Sequence, residues 1–77
     1  MDWERRISVD PAVLVGKPVV AGTRIAVEFV VELLAAGWTD EQVLANYPGL
    51  HPEDIRACLS YAARSLHEER VFPLPKA

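Results

Sequence analysis

The sequence predicts a mainly α-helical fold in which a three-helix unit follows a short N-terminal β element. Up to about residue 25, proline and glycine interrupt short runs of Val, Ile and Leu, as is typical of brief strands and turns. Helical patterns begin after residue 26. With 77 residues the chain is expected to form one domain, divided into a β element at 1–25, a three-helix unit at 26–70 and a C-terminal tail at 71–77.

Two short strands are predicted in the β element. The segments RRISV and PVV are the candidate strands, and Ala21-Gly22 fits a tight turn in which Gly22 supplies a positive φ. Strands this short need a partner strand, either in the same chain or in another subunit. The residues expected to be buried in this ribbon are Val19, Val20, Ile25 and Val27.

Three helices are predicted from their start and stop signals. The first, VEFVVELLAA, is apolar around most of its circumference and ends before Gly37, a C′ glycine. The second, DEQVLANY, starts after the N-cap Thr39, and Gln42 completes a capping box. The third starts at Pro52 and runs through EDIRACLSYAARSLHEER. Its predicted core-facing stripe consists of Ile55, Leu59, Ala62, Ala63 and Leu66.

Composition excludes several classes of protein. The single cysteine, Cys58, cannot form an internal disulfide, and with His51 and His67 it does not make a structural zinc site. No catalytic residue, metal ligand or cofactor is predicted, and we expect the chain not to be an enzyme. A leader or membrane-spanning pattern is not evident, which predicts a cytoplasmic protein without a membrane partner. A hydrophobic content of 51% in so short a chain predicts a homodimer or a partner interface.

Candidate DNA contacts come from the last helix and the β element. The net charge is −3, and residues 26–77 carry four basic against eight acidic side chains. A short turn between the second and third helices suits a helix-turn-helix, whose last helix would enter the major groove. The predicted donors are Arg56, Ser60 and Arg64 on that helix, with Lys17 and Arg24 as phosphate contacts or solvated ribbon residues.

Three further features bear on the function. Glu53 and Asp54 are expected to be charged groups at the start of the third helix, where they favour the helix dipole but repel phosphates. The order of Gly16-Lys17 and Gly22-Thr23 does not match a Walker-type phosphate loop. Apolar groups near the two ends are candidate contacts for a protein partner: Trp3, Val71, Phe72 and Leu74.

The segments ISVDPAVLVGKPVVAGTRIAV and LLAAGWTDEQVLANYPGLHPEDIRACLSYA resemble the bacterial family catalogued as domain of unknown function 433. The ordered Gly-Lys-Pro and Gly-Thr-Arg-Ile motifs carry most of the resemblance, which spans residues 7 to 63. It implies a homeodomain-like three-helix fold that dimerises. One departure is His51, which stands before Pro52 where the family commonly has a Ser or Thr N-cap.

The family looks similar to antitoxins of the VapB type, which are often encoded beside a PIN-like nuclease toxin. The resemblance therefore implies that the chain binds and inhibits such a toxin, and that it binds operator DNA as an autorepressor. The alternative is a dimeric protein-interaction module that holds a partner protein without binding DNA. The acidic helical region favours this alternative.

Overall fold

A computed structural model describes residues 3–68 of the chain. Its elements, in order, are a 3-10 helix Trp3–Arg6, strand β1 Ile7–Val9, a 3-10 helix Leu14–Gly16, strand β2 Pro18–Val20, and helices α1 Val27–Ala35, α2 Asp40–Asn46 and α3 Pro52–Glu68. The prediction of a mainly helical fold with a short N-terminal β element is confirmed. The predicted tail at 71–77 lies outside the described residues.

Strands β1 and β2 pair with each other in an antiparallel sheet, so both find their partner strand within the chain. Ile7 lies opposite Val20, and Val9 lies opposite Pro18. The predicted turn after β2 is present: Gly22 has φ 80°, and the Thr23 N–H donates to the Val20 carbonyl oxygen at 3.0 Å. The Thr23 hydroxyl donates to the same oxygen at 2.8 Å and holds the turn closed.

The loop between the two strands has an unusual backbone that the sequence did not predict. Leu14 and Val15 have φ 47° and φ 56°, in the left-handed region that non-glycine residues rarely adopt. Gly16 continues the run with φ 79°. A β-branched residue is strained there, and the Val15 side chain gains no packing in return because the residue is 95% exposed.

Local capping signals define the ends of α1 and the start of α2, as predicted. Gly37 has φ 98°, and the Trp38 N–H donates to the Leu33 carbonyl oxygen at 3.0 Å, as in a Schellman motif. The Thr39 hydroxyl accepts from the Gln42 N–H at 3.1 Å, and the Gln42 side chain accepts from the Thr39 N–H at 2.8 Å. The predicted capping box is therefore complete.

The core lies between the helices and the hairpin, but α3 presents a different face to it than predicted. Ile55 is buried as expected, whereas Leu59 is 45% exposed and Leu66 is 68% exposed. Ala57 and Cys58 are buried in their place. Since successive helical residues are about 100° apart, the helix is rotated by roughly one residue position relative to the predicted stripe. The buried apolar residues are Val19, Val20, Val27, Val30, Val43, Leu50, Ile55, Ala57 and Cys58.

The cause of this rotation is Asp54, which is 4% exposed instead of lying on the surface as a simple dipole-favouring charge. One carboxylate oxygen accepts from the Arg6 guanidinium at 2.9 Å, and the other accepts from the His51 N–H at 2.8 Å. Asp54 is the third residue of α3, and its bond to the N–H of His51, the residue before Pro52, is the half of a capping box that a Glu or Gln side chain usually supplies. These bonds turn the Asp54 face of α3 towards the hairpin and the Trp3–Arg6 helix.

We expect Asp54→Ala to lower the free energy of unfolding by about 3 kcal/mol, because it removes a buried carboxylate with two partners. Glu53→Ala is the matched control, since Glu53 is the neighbouring exposed carboxylate of the same helix turn, and it should cost under about 0.5 kcal/mol. Urea denaturation followed by circular dichroism measures both values. Equal losses for the two variants would contradict the role assigned to Asp54.

Candidate functional site

The predicted DNA donors Arg56 and Ser60 lie one turn apart on α3. Arg56 is exposed and Ser60 is partly exposed. The connection from α2 is short, and the Leu50 N–H donates to the Tyr47 carbonyl oxygen at 2.9 Å within it. Because Leu50 is buried, this turn is anchored in the core. The anchored turn therefore fixes the start of α3, the helix that carries the side chains of Arg56 and Ser60.

Arg64, the third predicted donor on α3, is held by other residues of the chain. Its guanidinium donates to Glu68 at 2.9 Å and to Glu4 at 3.0 Å, and it lies 5.9 Å from the centre of the Trp3 ring. The hydrogen bonds to Glu68 and Glu4 raise the Arg64 pKa above its already high value. A DNA phosphate would have to compete with both carboxylates for this side chain.

Trp3, a predicted partner contact, packs against α3. Its ring meets Tyr61 edge to face, with centroids 6.2 Å apart. Trp3, Tyr61 and Arg64 therefore form one small cluster that connects the N-terminal 3-10 helix to α3. The other predicted partner contacts, Val71, Phe72 and Leu74, lie outside the described residues.

Lys17 and Arg24, the candidate contacts of the β element, differ in their surroundings. Lys17 forms an ion pair with Glu28 of α1, and that hydrogen bond is the main cause of its raised pKa. Arg24 is exposed in the turn before α1. The sequence leaves phosphate contacts and solvated ribbon residues open for both; the exposed Lys17 side chain in addition links the hairpin to α1 through Glu28.

A groove lies between α1 and α3 beside Lys17, and sequence reasoning missed it. We call it the α1–α3 groove; its volume is about 680 Å³. Its lining residues are Lys17, Pro18, Val27, Glu28, Val31, Glu32, Tyr61, Ala62, Ser65 and Leu66. The sequence signal that could have revealed the groove is the apolar stripe on α3, which the sequence predicts to face the core.

A second, smaller hollow of about 490 Å³ continues on the other side of the Lys17–Glu28 ion pair. It shares Lys17, Glu28 and Glu32 with the α1–α3 groove and is otherwise bordered mainly by apolar groups from the strained loop and α1. The additional residues are Leu14, Val15, Ala26 and Phe29. An acidic ridge on α1 therefore separates two apolar hollows.

Cys58, the single cysteine, is fully buried. Burial, and secondly the charge of Asp54, raise the pKa of its thiol from the usual 9.0 to about 11. The thiol stays protonated at neutral pH, which is the state of an inert structural cysteine. Among residues 3–68, no three His, Cys, Asp or Glu side chains are grouped so that they could hold a metal ion. In the same range no helix is long and apolar enough to cross a membrane.

These features define a small helical domain in which a β-hairpin packs against α1 and α3. Helix α3 has a polar face, and an apolar groove lies beside it. The family described as Protein of unknown function (DUF433) matches residues 7–62, and the chain belongs to this family.

Two relatives extend this result. The chain is 41% identical over 56 residues to "Uncharacterized protein y4eO" of Sinorhizobium fredii, a match that covers 73% of this chain and 25% of that protein. A crystal structure of a DUF433 member from Anabaena variabilis ATCC 29413 has a TM-score of 0.76 and 35% identity, over 82% of this chain and 62% of that one. The chain thus spans about a quarter of the curated relative and less than two thirds of the solved one.

The buried thiol leads to a test of its chemistry. At pH 8 we expect Cys58 of the native chain to react with DTNB at least about a hundredfold more slowly than in urea, because a pKa near 11 leaves about a hundredth of the usual thiolate. The thiol's contribution to stability should be complete below pH 9 and lost as the pH rises towards 11, because the unfolded chain ionises first. Similar rates in the native and unfolded chains would show that the thiol is accessible and reactive.

Proposed function

We propose that this protein is the antitoxin of a type II toxin–antitoxin pair, which binds and inhibits a PIN-like nuclease toxin and binds operator DNA as a dimeric autorepressor. The class comes from the family resemblance carried by the Gly-Lys-Pro and Gly-Thr-Arg-Ile motifs. The observation that best supports the toxin-binding part is an exposed apolar groove bordered by carboxylates.

Charge supports the inhibitory part of the proposal. A nuclease binds the phosphates of its substrate in a positively charged groove. The helical region of this chain presents mostly carboxylates to solvent, and these can compete with a nucleic acid for such a groove. The exposed carboxylates of α1, α2 and α3 are Glu28, Glu32, Asp40, Glu41, Glu53 and Glu68.

The DNA-binding part is supported by α2, its short turn and α3. In a helix-turn-helix protein the second of these helices enters the major groove, and two copies bind two half-sites. Arg56 and Ser60 are available for this purpose on the polar face of α3. Arg56 suits guanine or a phosphate, and the Ser60 hydroxyl suits either a base edge or a phosphate.

The alternative is a dimeric interaction module that holds a protein partner and does not bind DNA. Two observations favour it. Glu53 is exposed in the first turn of α3, where a recognition helix meets the bases, and Arg64 is already paired with Glu4 and Glu68. In this case the helices would form the partner-binding groove between α1 and α3 and would have no role in DNA binding.

On this proposal a PIN-like nuclease is encoded beside the chain's own gene, and toxin inhibition is tested with that purified nuclease. We expect the chain to stop RNA cleavage near a one-to-one ratio, because a tight inhibitor is consumed stoichiometrically. The charge-reversal pair Glu28→Lys with Glu32→Lys should weaken inhibition at least about tenfold. Asp40→Lys with Glu41→Lys, two exposed positions on α2, is the control for net charge, because both pairs replace two carboxylates by two lysines. Cleavage that continues in a tenfold excess of the wild-type chain would refute the antitoxin assignment.

Operator binding is tested by gel shift on the DNA upstream of the chain's own gene at several salt concentrations. Arg56→Ala should weaken binding at least about tenfold and reduce the salt slope by about one ion per copy, which is about two for the dimer. Glu41→Gln, away from α3, should leave the slope unchanged. Light scattering of the same samples gives the number of copies on the DNA. An absent shift together with retained toxin inhibition would select the interaction module.

A further inference from the structure

We infer that the α1–α3 groove is the docking site for a basic amphipathic helix of a partner protein. The inference rests on the proposed function in that the toxin would supply this helix, but it adds the surface and the chemistry of the occupant. It places the principal partner contact on α1 and the C-terminal half of α3, and the donors Arg56 and Ser60 do not line this groove.

The apolar part of the argument comes from α3. Ala62 and Leu66 belong to the apolar row on α3 and line the groove, and Leu66 is 68% exposed. Leu59, which is 45% exposed, and Ala63 belong to the same row but do not line the groove. Val31 of α1 forms the opposite wall of the groove, with Ala62 and Leu66 across from it. A continuous apolar strip between two helices is the surface into which the side-chain ridge of a third helix packs. Exposed apolar patches of this kind mark protein contacts in soluble domains.

The negative charge on the rim of the groove indicates that its occupant is basic. Glu28 and Glu32 lie four residues apart on the rim of α1, and Glu28 already holds Lys17. A partner helix with Lys or Arg on its polar side can meet Glu32 and share Glu28 with Lys17. A second copy of this chain seated symmetrically in the groove would bring the same two carboxylates towards each other, which is unfavourable. The groove therefore fits a basic helix better than a second copy.

The strained loop extends this surface. Val15 is 95% exposed at φ 56°, and Leu14 lies beside it at φ 47°. Both border the hollow on the far side of the Lys17–Glu28 pair, next to Phe29. Residues held in strained conformations without internal packing tend to occur at functional sites. A helix lying across the acidic ridge would cover apolar groups on both of its sides.

The test uses two dye-labelled synthetic helices of roughly 18 residues, about five turns. Both carry leucine at every third or fourth position; one has lysine on its polar face, and the other has glutamate. Fluorescence anisotropy with the full chain should give binding of the lysine peptide that is at least about tenfold tighter than that of the glutamate peptide. Leu66→Ser and Glu32→Gln should each weaken the lysine peptide several-fold. Val9→Ser is the matched control, because Val9 is an exposed apolar residue that does not line the groove.

The outcomes separate the possible occupants and the proposed function. Equal binding of the two peptides, or equal losses for Leu66→Ser and Val9→Ser, would overturn the inference. A chain that is dimeric in light scattering, becomes monomeric with Leu66→Ser and binds neither peptide would assign the groove to a second copy. Selective peptide binding without inhibition of the neighbouring nuclease would keep the docking site and reject the antitoxin role. Circular dichroism confirms that every variant is folded.

Discussion

The buried carboxylate of Asp54 is the contact on which the orientation of α3 depends. It joins two parts of the chain that are 48 residues apart, because Arg6 donates to one of its oxygens. Its other oxygen accepts from the His51 N–H and closes the start of the helix. If the buried carboxylate lost either bond, the free-energy cost of removing its charge from water would no longer be offset. The side chain can therefore stay buried only while both bonds are present. The Arg6–Asp54 pair holds the N-terminal 3-10 helix on α3, together with the Trp3–Tyr61 contact and the Glu4–Arg64 ion pair.

The resulting rotation of α3 determines which of its side chains are exposed on the surface. With Asp54, Ala57 and Cys58 facing inwards, the larger apolar side chains Leu59 and Leu66 are left on the surface. Of these two, Leu66 lines the α1–α3 groove together with Ala62. Leu66 contributes to recognition and little to stability, because most of its surface is already in water in the free domain.

Local features of this fold are readable from the sequence, and the long-range contact is not. The positive φ of Gly22 and the capping box of Thr39 and Gln42 depend on residues within a few positions of each other, and both are present as predicted. The Arg6–Asp54 pair cannot be read in this way, since a carboxylate in the first turn of a helix is normally exposed. Hydrophobicity also favours burying Leu59 over Ala57, so the periodic pattern selected the wrong face of α3. The left-handed Leu14 and Val15 carry no sequence signal at all.

The predicted core-facing stripe of α3 is not the face that the core covers. Its regular apolar pattern therefore needs another physical explanation. A regular row of apolar residues on a helix is normally covered, either by the chain's own core or by another molecule. In residues 3–68 the core covers the adjacent face, and Ala62 and Leu66 are left lining the groove beside α1, where our inference places a partner helix. The polar face with Arg56 and Ser60 lies on a different side of α3 from Ala62 and the groove. On the proposed function, a toxin helix in the groove and DNA on the polar face can therefore occupy the same helix together. A basic partner would also cover Glu28 and Glu32, and it would reduce the negative charge that opposes DNA.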